Sequence, residues 1–224
     1  LFSALLCLVI CPCSVSALPG VPQLDELYLE LSEASEDSTM IRIELQISDS
    51  LLFHLPDSAI SHAKRALHIA EQQEDVLACA EAYNNIGIVA TIQGKYLTGT
   101  EYFQMALQHY EKDGNLEGAA KILNNLGVIY QTLENHEESI QHHKEGFKLA
   151  LTLNDHEGAA TNLYNIAVVH LDIENYDSCL HYVDQLNSFQ HEFGEFYSPI
   201  PVIGSVFLAQ EQLDSAEHYL LISE

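Results

Sequence analysis

Apolar residues return every three or four positions along most of this chain, and the same apolar faces return at a fixed interval through its middle. The stripes are Tyr83, Ile86 and Ala90, then Leu123, Leu126 and Tyr130, then Leu163, Ile166 and Val169. That spacing predicts amphipathic helices packed on one side, because half-buried strands alternate every second residue instead. The block NNIG at 84–87 becomes NNLG at 124–127 and YNIA at 164–167, and EGAAKILNNLGVIY at 117–130 returns as EGAATNLYNIAVVH at 157–170. GKY at 94–96, ENH at 134–136 and ENY at 174–176 mark the breaks between helical stretches. The predicted unit is therefore a helix, a tight turn and a second helix. Such a unit cannot bury its apolar face alone and stacks on its neighbours, so the expected fold is an all-α solenoid of stacked antiparallel helix pairs.

Small residues sharpen this picture. Gly87, Gly127 and Ala167 sit inside the stripes. Glycine disfavours a helix interior by about 1 kcal/mol, so its return at a fixed place predicts close approach of a second helix. Ala106 and Gly146 fill the matching small site of the second helices, with Phe103 and Phe147 as nearby bulk. Upstream, PDSAISHAKRALHIA at 56–70 reads as another second helix with Ala59, Ala63 and Ala66 in the small places, and MIRIELQISDSLLF at 40–53 as its degenerate partner. Leu213, Asp214 and Ser215 echo Tyr176, Asp177 and Ser178 and open a further unit that Glu224 cuts short, so the natural protein is expected to continue.

The spacing of Leu126, Gly127 and Tyr130, with Ser139 in the later small place, resembles the tetratricopeptide repeat family. Departures are plain: no Trp opens the units, Ala90 and His170 stand where Tyr130 stands, and the closing proline is missing. The period of about 40 also exceeds the usual 34 by about one and a half helical turns per pair. On this resemblance the chain divides into a degenerate repeat at 37–76, repeats at 77–116, 117–156 and 157–196, and a truncated one at 197–224.

Before the repeats, LFSALLCLVICPCSVSA is an apolar run of roughly a dozen residues followed by small ones, shorter than the about 20 a spanning helix needs. It reads as a signal peptide over 1–17, followed by a linker and leading helix over 18–36, and the expected location is periplasmic or otherwise extracytoplasmic. Three of five cysteines fall in that segment, leaving Cys79 and Cys179, expected as buried free thiols. Asp and Glu number 33 against 8 Lys and Arg, a formal charge of −25 that disfavours nucleic-acid binding.

In the tetratricopeptide family the first helices line a concave groove that binds extended peptides or partner helices. The resemblance carries that role onto Asn84, Asn85, Ile88, Lys121, Asn124, Asn125, Val128, Tyr164, Asn165 and Val168, with Glu81 at the same register. Asn is a mediocre helix former, so its return at 85, 125 and 165 asks for a reason. Two remain open: a ladder of carboxamides for a peptide backbone, or bonds to the neighbouring repeat. A clamp for acidic C-termini needs several basic groove residues, and Lys121 is the one basic residue at these positions, so a neutral or mildly basic peptide is the expected partner. The 12 histidines include the adjacent His142 and His143, which diverge by about 100 degrees on a helix, and no metal site, cofactor or catalytic residue is expected.

The stretch VPQLDELYLELSEASEDSTMIRIELQI running into PDSAISHAKRALHIAEQQED, behind a signal peptide, is similar to the exported repeat regions of bacterial sensor histidine kinases and membrane-bound transcription regulators. This resemblance implies the sensing half of a signalling protein, tethered to the membrane by a later segment and joined there to its output domain. The competing expectation is a stand-alone exported scaffold that assembles envelope complexes.

Overall fold

The computed structural model describes residues 21–212 and Ser215. The expected signal peptide and the last unit's second helix lie outside the described residues. Ten α-helices are present among the described residues, and no strand. They are α1 (Val21–Glu33), α2 (Asp37–Leu51), α3 (Pro56–Gln73), α4 (Val76–Ile92), α5 (Tyr96–Asp113), α6 (Leu116–Thr132), α7 (His136–Leu153), α8 (His156–Asp172), α9 (Tyr176–Phe193) and α10 (Ile200–Ala209). The chain is thus all-α. Helices adjacent in sequence pack on one another in the manner of a helix-pair solenoid, α2 to α5 in a first group and α7 to α9 in a second.

From α3 to α9 the helices begin at an even spacing, at Pro56, Val76, Tyr96, Leu116, His136, His156 and Tyr176, each start half a repeat after the one before. The turns explain this regularity. From α3 to α8 each helix is followed by a residue in the left-handed region: Glu74, Gly94, Gly114, Glu134, Asn154 or Glu174. The next backbone N–H then reaches back over the helix end, as from Asp75 to Ala70 O (2.9 Å), Lys95 to Ala90 O (2.8 Å) and Asn135 to Tyr130 O (2.8 Å). This six-to-one bond satisfies a carbonyl that the helix end would otherwise leave unpaired. The residue that makes it is already the N-cap of the next helix. Asp75, Asn115, Asp155 and Asn175 accept from the backbone N–H three residues on, at 3.0, 2.8, 2.9 and 3.2 Å.

The chain forms two compact units, Leu1–Asn125 and Leu126–Glu224. In unit 1, Ile43, Ile47, Leu51 and Leu52 of α2 and its following turn pack with Ala59 and Val89, and α1 covers them with Leu24, Leu27 and Leu31. Gly87 of α4 lies against Phe103 of α5, so closely that a Cβ would stand 2.8 Å from the ring. In unit 2, Ala167, Cys179, Val183, Val202 and Val206 join α8, α9 and α10. Gly127 there lies against His143, and Ser139 donates its hydroxyl to Gly127 O at 2.7 Å. The small residues are therefore where two helices meet, for the reason the spacing implies. Cys79 and Cys179 are both free and buried. No described helix is long and apolar enough to cross a membrane.

Candidate functional site

In unit 1 the helices α2 and α4 pack on one another and carry a row of side chains. Asn85, 4% exposed, donates its amide to Asp49 Oδ1 at 2.6 Å and to Ser48 Oγ at 3.3 Å, both on α2. Ser48 in turn donates to Ala59 O at 3.0 Å. The Asn85 carboxamide is thus engaged by the preceding helix pair, and it fixes Asp49 in place. Glu81 lies one turn before Asn85 on the same face of α4.

Asp49 and Glu81 keep solvent-accessible surface while lying among enough protein for desolvation to act on both. Burial raises the pKa of Asp49, and the Asn85 hydrogen bond partly offsets it. Burial also raises Glu81, the charges of Asp49 and Asp75 push it further, and Lys121 pulls it down. Lys121 Nζ sits 2.7 Å from Glu117 Oε1, and that bond holds the Glu117 carboxyl below its ordinary range. Tyr110, at the end of α5, presses its ring on Gly118 and is only 7% exposed. Burial raises its phenol, followed by the charges of Glu81, Asp49 and Glu117.

The other sequence-derived positions fall into two groups. Asn84 and Ile88 are half-buried and Lys121 is exposed, whereas Asn124 and Asn125 are buried. Among the described residues, the Asn84 and Asn125 carboxamide oxygens meet no hydrogen-bond donor. In unit 2 Val128 is buried, and Tyr164, Asn165 and Val168 are half-buried. Tyr164 stacks on Tyr197 with 5.5 Å between ring centres, and Val168 packs beside the Ala167–Val183 core. Unit 1 thus holds Asn84, Asn85 and Ile88 on α4 with Lys121 on α6 close enough to act on Glu81, and unit 2 holds Tyr164 and Val168 on α8. Sequence reasoning missed Asp49 and Tyr110. The spacing of 36 between Asp49 and Asn85 was the available signal, but the degenerate α2 hides it.

The histidines of unit 2 work as ring partners. His142 stacks on Tyr130 at 5.2 Å, and one repeat later the identities swap, with His170 on Tyr182 at 5.4 Å. Burial lowers the pKa of both, with Lys144 adding to the effect at His170. Among the described residues, no group of three or more His, Cys, Asp or Glu is placed to hold a metal ion.

Residues 78–152 and 118–185 match the tetratricopeptide repeat model. No curated protein matches the chain. Among solved structures, it resembles the apo form of RapI, with TM-score 0.73 and 15% identity, over 88% of this chain and 58% of that one. Aspartyl phosphate phosphatase F from Bacillus subtilis aligns with TM-score 0.70 and 13% identity, over 89% of this chain and 66% of that one. A Rap protein complexed with competence and sporulation factor aligns with TM-score 0.66 and 16% identity, over 92% and 58%. The chain thus spans less than two thirds of the length of each of these proteins, and at such identities the likeness is one of fold.

Proposed function

We propose that this chain, whose residues 78–185 belong to the tetratricopeptide repeat family, is a protein-interaction module that binds a peptide or an extended segment of a partner protein. The observation that carries the reading is the row in unit 1. Charged, amide and aliphatic side chains of the adjoining helices α2 and α4, Asp49, Glu81, Asn84 and Ile88, keep accessible surface, and the exposed Lys121 of α6 acts on Glu81. A peptide laid across them finds hydrogen-bond partners and apolar contact together, the mixture that fixes orientation as well as affinity. The likeness in fold to a Rap protein that holds competence and sporulation factor supports a peptide as the partner.

Within a longer protein the module is the extracytoplasmic sensing region of a signalling protein. The apolar segment followed by Val15, Ser16 and Ala17 supports export. Neither a reaction nor a cofactor enters this reading.

Panning a displayed random peptide library on the purified chain tests the binding half. Recurrent sequences that compete with one another support it, and an unenriched library overturns it. An alkaline phosphatase fusion after residue 212 tests export: activity outside the cytoplasmic membrane is expected, and a fusion active only after lysis overturns it. Reading the open reading frame past Glu224 separates sensor from scaffold, since a span of about 20 apolar residues followed by an output domain belongs to the first alone.

A further inference from the structure

The even spacing of helix starts breaks after α9. The connections into α4, α6 and α8 take two residues each, whereas the one into α10 takes six, 194–199. Gly194 leaves α9 at φ 115° and ψ 159°, a conformation open to glycine, and Pro199 disfavours helical backbone at Ser198. The segment therefore lies on α8 and α9 instead of opening the next helix. Gln190 of α9, 7% exposed, holds its backbone: Oε1 accepts from Phe196 N at 2.8 Å and Tyr197 N at 2.6 Å, and Nε2 donates to Tyr197 O at 3.0 Å. Ala70, Tyr110 and Ala150 stand at that place in the earlier repeats, so this carboxamide is particular to the last one. The Tyr197 ring stacks on Tyr164 with 5.5 Å between centres, and its hydroxyl meets Thr161 Oγ1 at 2.9 Å. Thr161 donates its own proton to Glu157 O at 2.8 Å, so Tyr197 is the donor of that bond. Thr161 and Tyr164 hold the register of Lys121 and Asn124, and of Glu81 and Asn84 before them.

We propose that Thr161, Tyr164 and Gln190 form a site for a tyrosine in an extended stretch of the bound peptide, and that residues 196–199 occupy this site as an intramolecular competitor. The inference rests on the peptide-binding reading above and adds one ligand side chain and the contact that restrains its binding. A side-chain amide that serves the N–H and the C=O of one residue fixes a peptide's direction and register without reading its side chain. Stacking on Tyr164 then selects an aromatic ring, and the Thr161 oxygen, left as an acceptor, selects a phenol over a phenyl. Tethered beside its site, the segment competes at high effective concentration, so a free peptide binds more weakly in proportion to how rarely the site stands vacant.

The probe that tests this is the segment itself, a fluorescently labelled synthetic GEFYSPIP matching residues 194–201, with binding read by anisotropy on the wild-type chain and on Tyr197→Ala. Tyr197 is half-buried, and its truncation empties the place of the ring. The variant is expected to bind the probe about ten-fold or more tightly than the wild type does. Phenylalanine in place of the probe's tyrosine weakens that binding roughly three-fold, and alanine about ten-fold or more. Phe196→Gly combined with Tyr197→Gly also loosens the backbone from Gln190 and should bind more tightly still; it is judged only if circular dichroism shows a folded chain, and Tyr197→Ala carries the test regardless.

A Tyr197→Ala chain that ignores the probe, or binds it no better than the wild type does, overturns the site and leaves the peptide reading carried by unit 1 intact. Binding indifferent to the probe's tyrosine overturns it too. A chain that retains neither the probe nor any library peptide overturns both.

Discussion

In unit 1 the helix-interior Gly87 is covered by Phe103; in unit 2, one repeat later, Gly127 is covered by His143. Both rings are 0% exposed. The surroundings differ to match. Where unit 1 has Ile122, unit 2 has Asn162, whose Oδ1 accepts from His143 Nδ1 at 3.2 Å. Where unit 1 has Ala106, unit 2 has Gly146, because a Cβ there would come within 2.7 Å of the Asn162 carboxamide. At this place in the repeat the glycine stands against a flat ring, whose polarity is set by the neighbouring positions.

The polar version carries a penalty the apolar one lacks. His143 Nε2 has no hydrogen-bond partner among the described residues. Burial lowers the His143 pKa to about 4, against the Asn162 bond, which favours the charged form, and with His142 adding to the lowering. A base whose folded pKa lies below its unfolded value contributes stability that is present above the unfolded pKa. That stability is lost as pH falls from 6.5 toward 4, because the unfolded chain takes up the proton first.

The largest expected effect comes from emptying the apolar version. Phe103→Ala leaves a cavity over Gly87 and is expected to destabilise unit 1 by about 4 kcal/mol, read as a shift in urea midpoint. A loss below about 1 kcal/mol would mean that the helices close over the gap. Acidification comes next. From pH 7 to 4 unit 2 is expected to lose about 3 kcal/mol through His143, and the double variant His143→Phe with Asn162→Ile, which installs the unit 1 pair, should flatten that part of the pH profile. An unchanged profile would assign the acid sensitivity elsewhere.

Gly127→Ala and Gly87→Ala follow. Each drives a methyl into a ring, at 2.5 and 2.8 Å, and the strain of about 2 kcal/mol exceeds the roughly 1 kcal/mol that alanine adds to helix propensity. Both melting temperatures should fall; a rise in either would show that the ring can move aside. The smallest effect concerns the turns. Unit 1 has Gly94 in the left-handed position where unit 2, one and two repeats later, has Glu134 and Glu174 at φ of 59° and 58°. Glu134→Gly should raise stability by about 0.5 kcal/mol, the left-handed strain relieved being partly offset by glycine's entropy. Calorimetry on the single and paired glutamate variants checks the sign.

The helices were legible because the stripe, the repeated glycine and the break residues all carry the same period. Gly87 and Gly127 announced a close approach before any partner was known. What covers them was legible only in part: Phe103 stood out as bulk beside the small sites and does cover Gly87, whereas nothing marked His143, since periodicity gives the face of a helix and not the side chain that meets it. His143 illustrates the gap. Read as one of 12 histidines it looks like surface, and only the packing of α6 and α7 makes it core. Asn85 is the converse case. Its recurrence is visible in the sequence, yet its bond to Asp49 depends on a helix whose own pattern is degenerate. The turns held a further surprise: they recur at half the sequence period, because both kinds of helix end in the same backbone geometry whatever residue occupies it.

Those short turns govern how such a chain can change over generations. One added residue in a turn rotates every position after it by about 100 degrees if it is absorbed into the next helix, and the six-to-one bond and the cap leave no slack to absorb it elsewhere. Small insertions and deletions are thereby penalised at the very connections where most proteins tolerate them. Copying or deleting a whole helix-pair block preserves every turn. Such a chain is expected to lengthen by duplication and to vary by substitution, as the occupants of one repeat position, Phe103 and His143, illustrate within a shared frame.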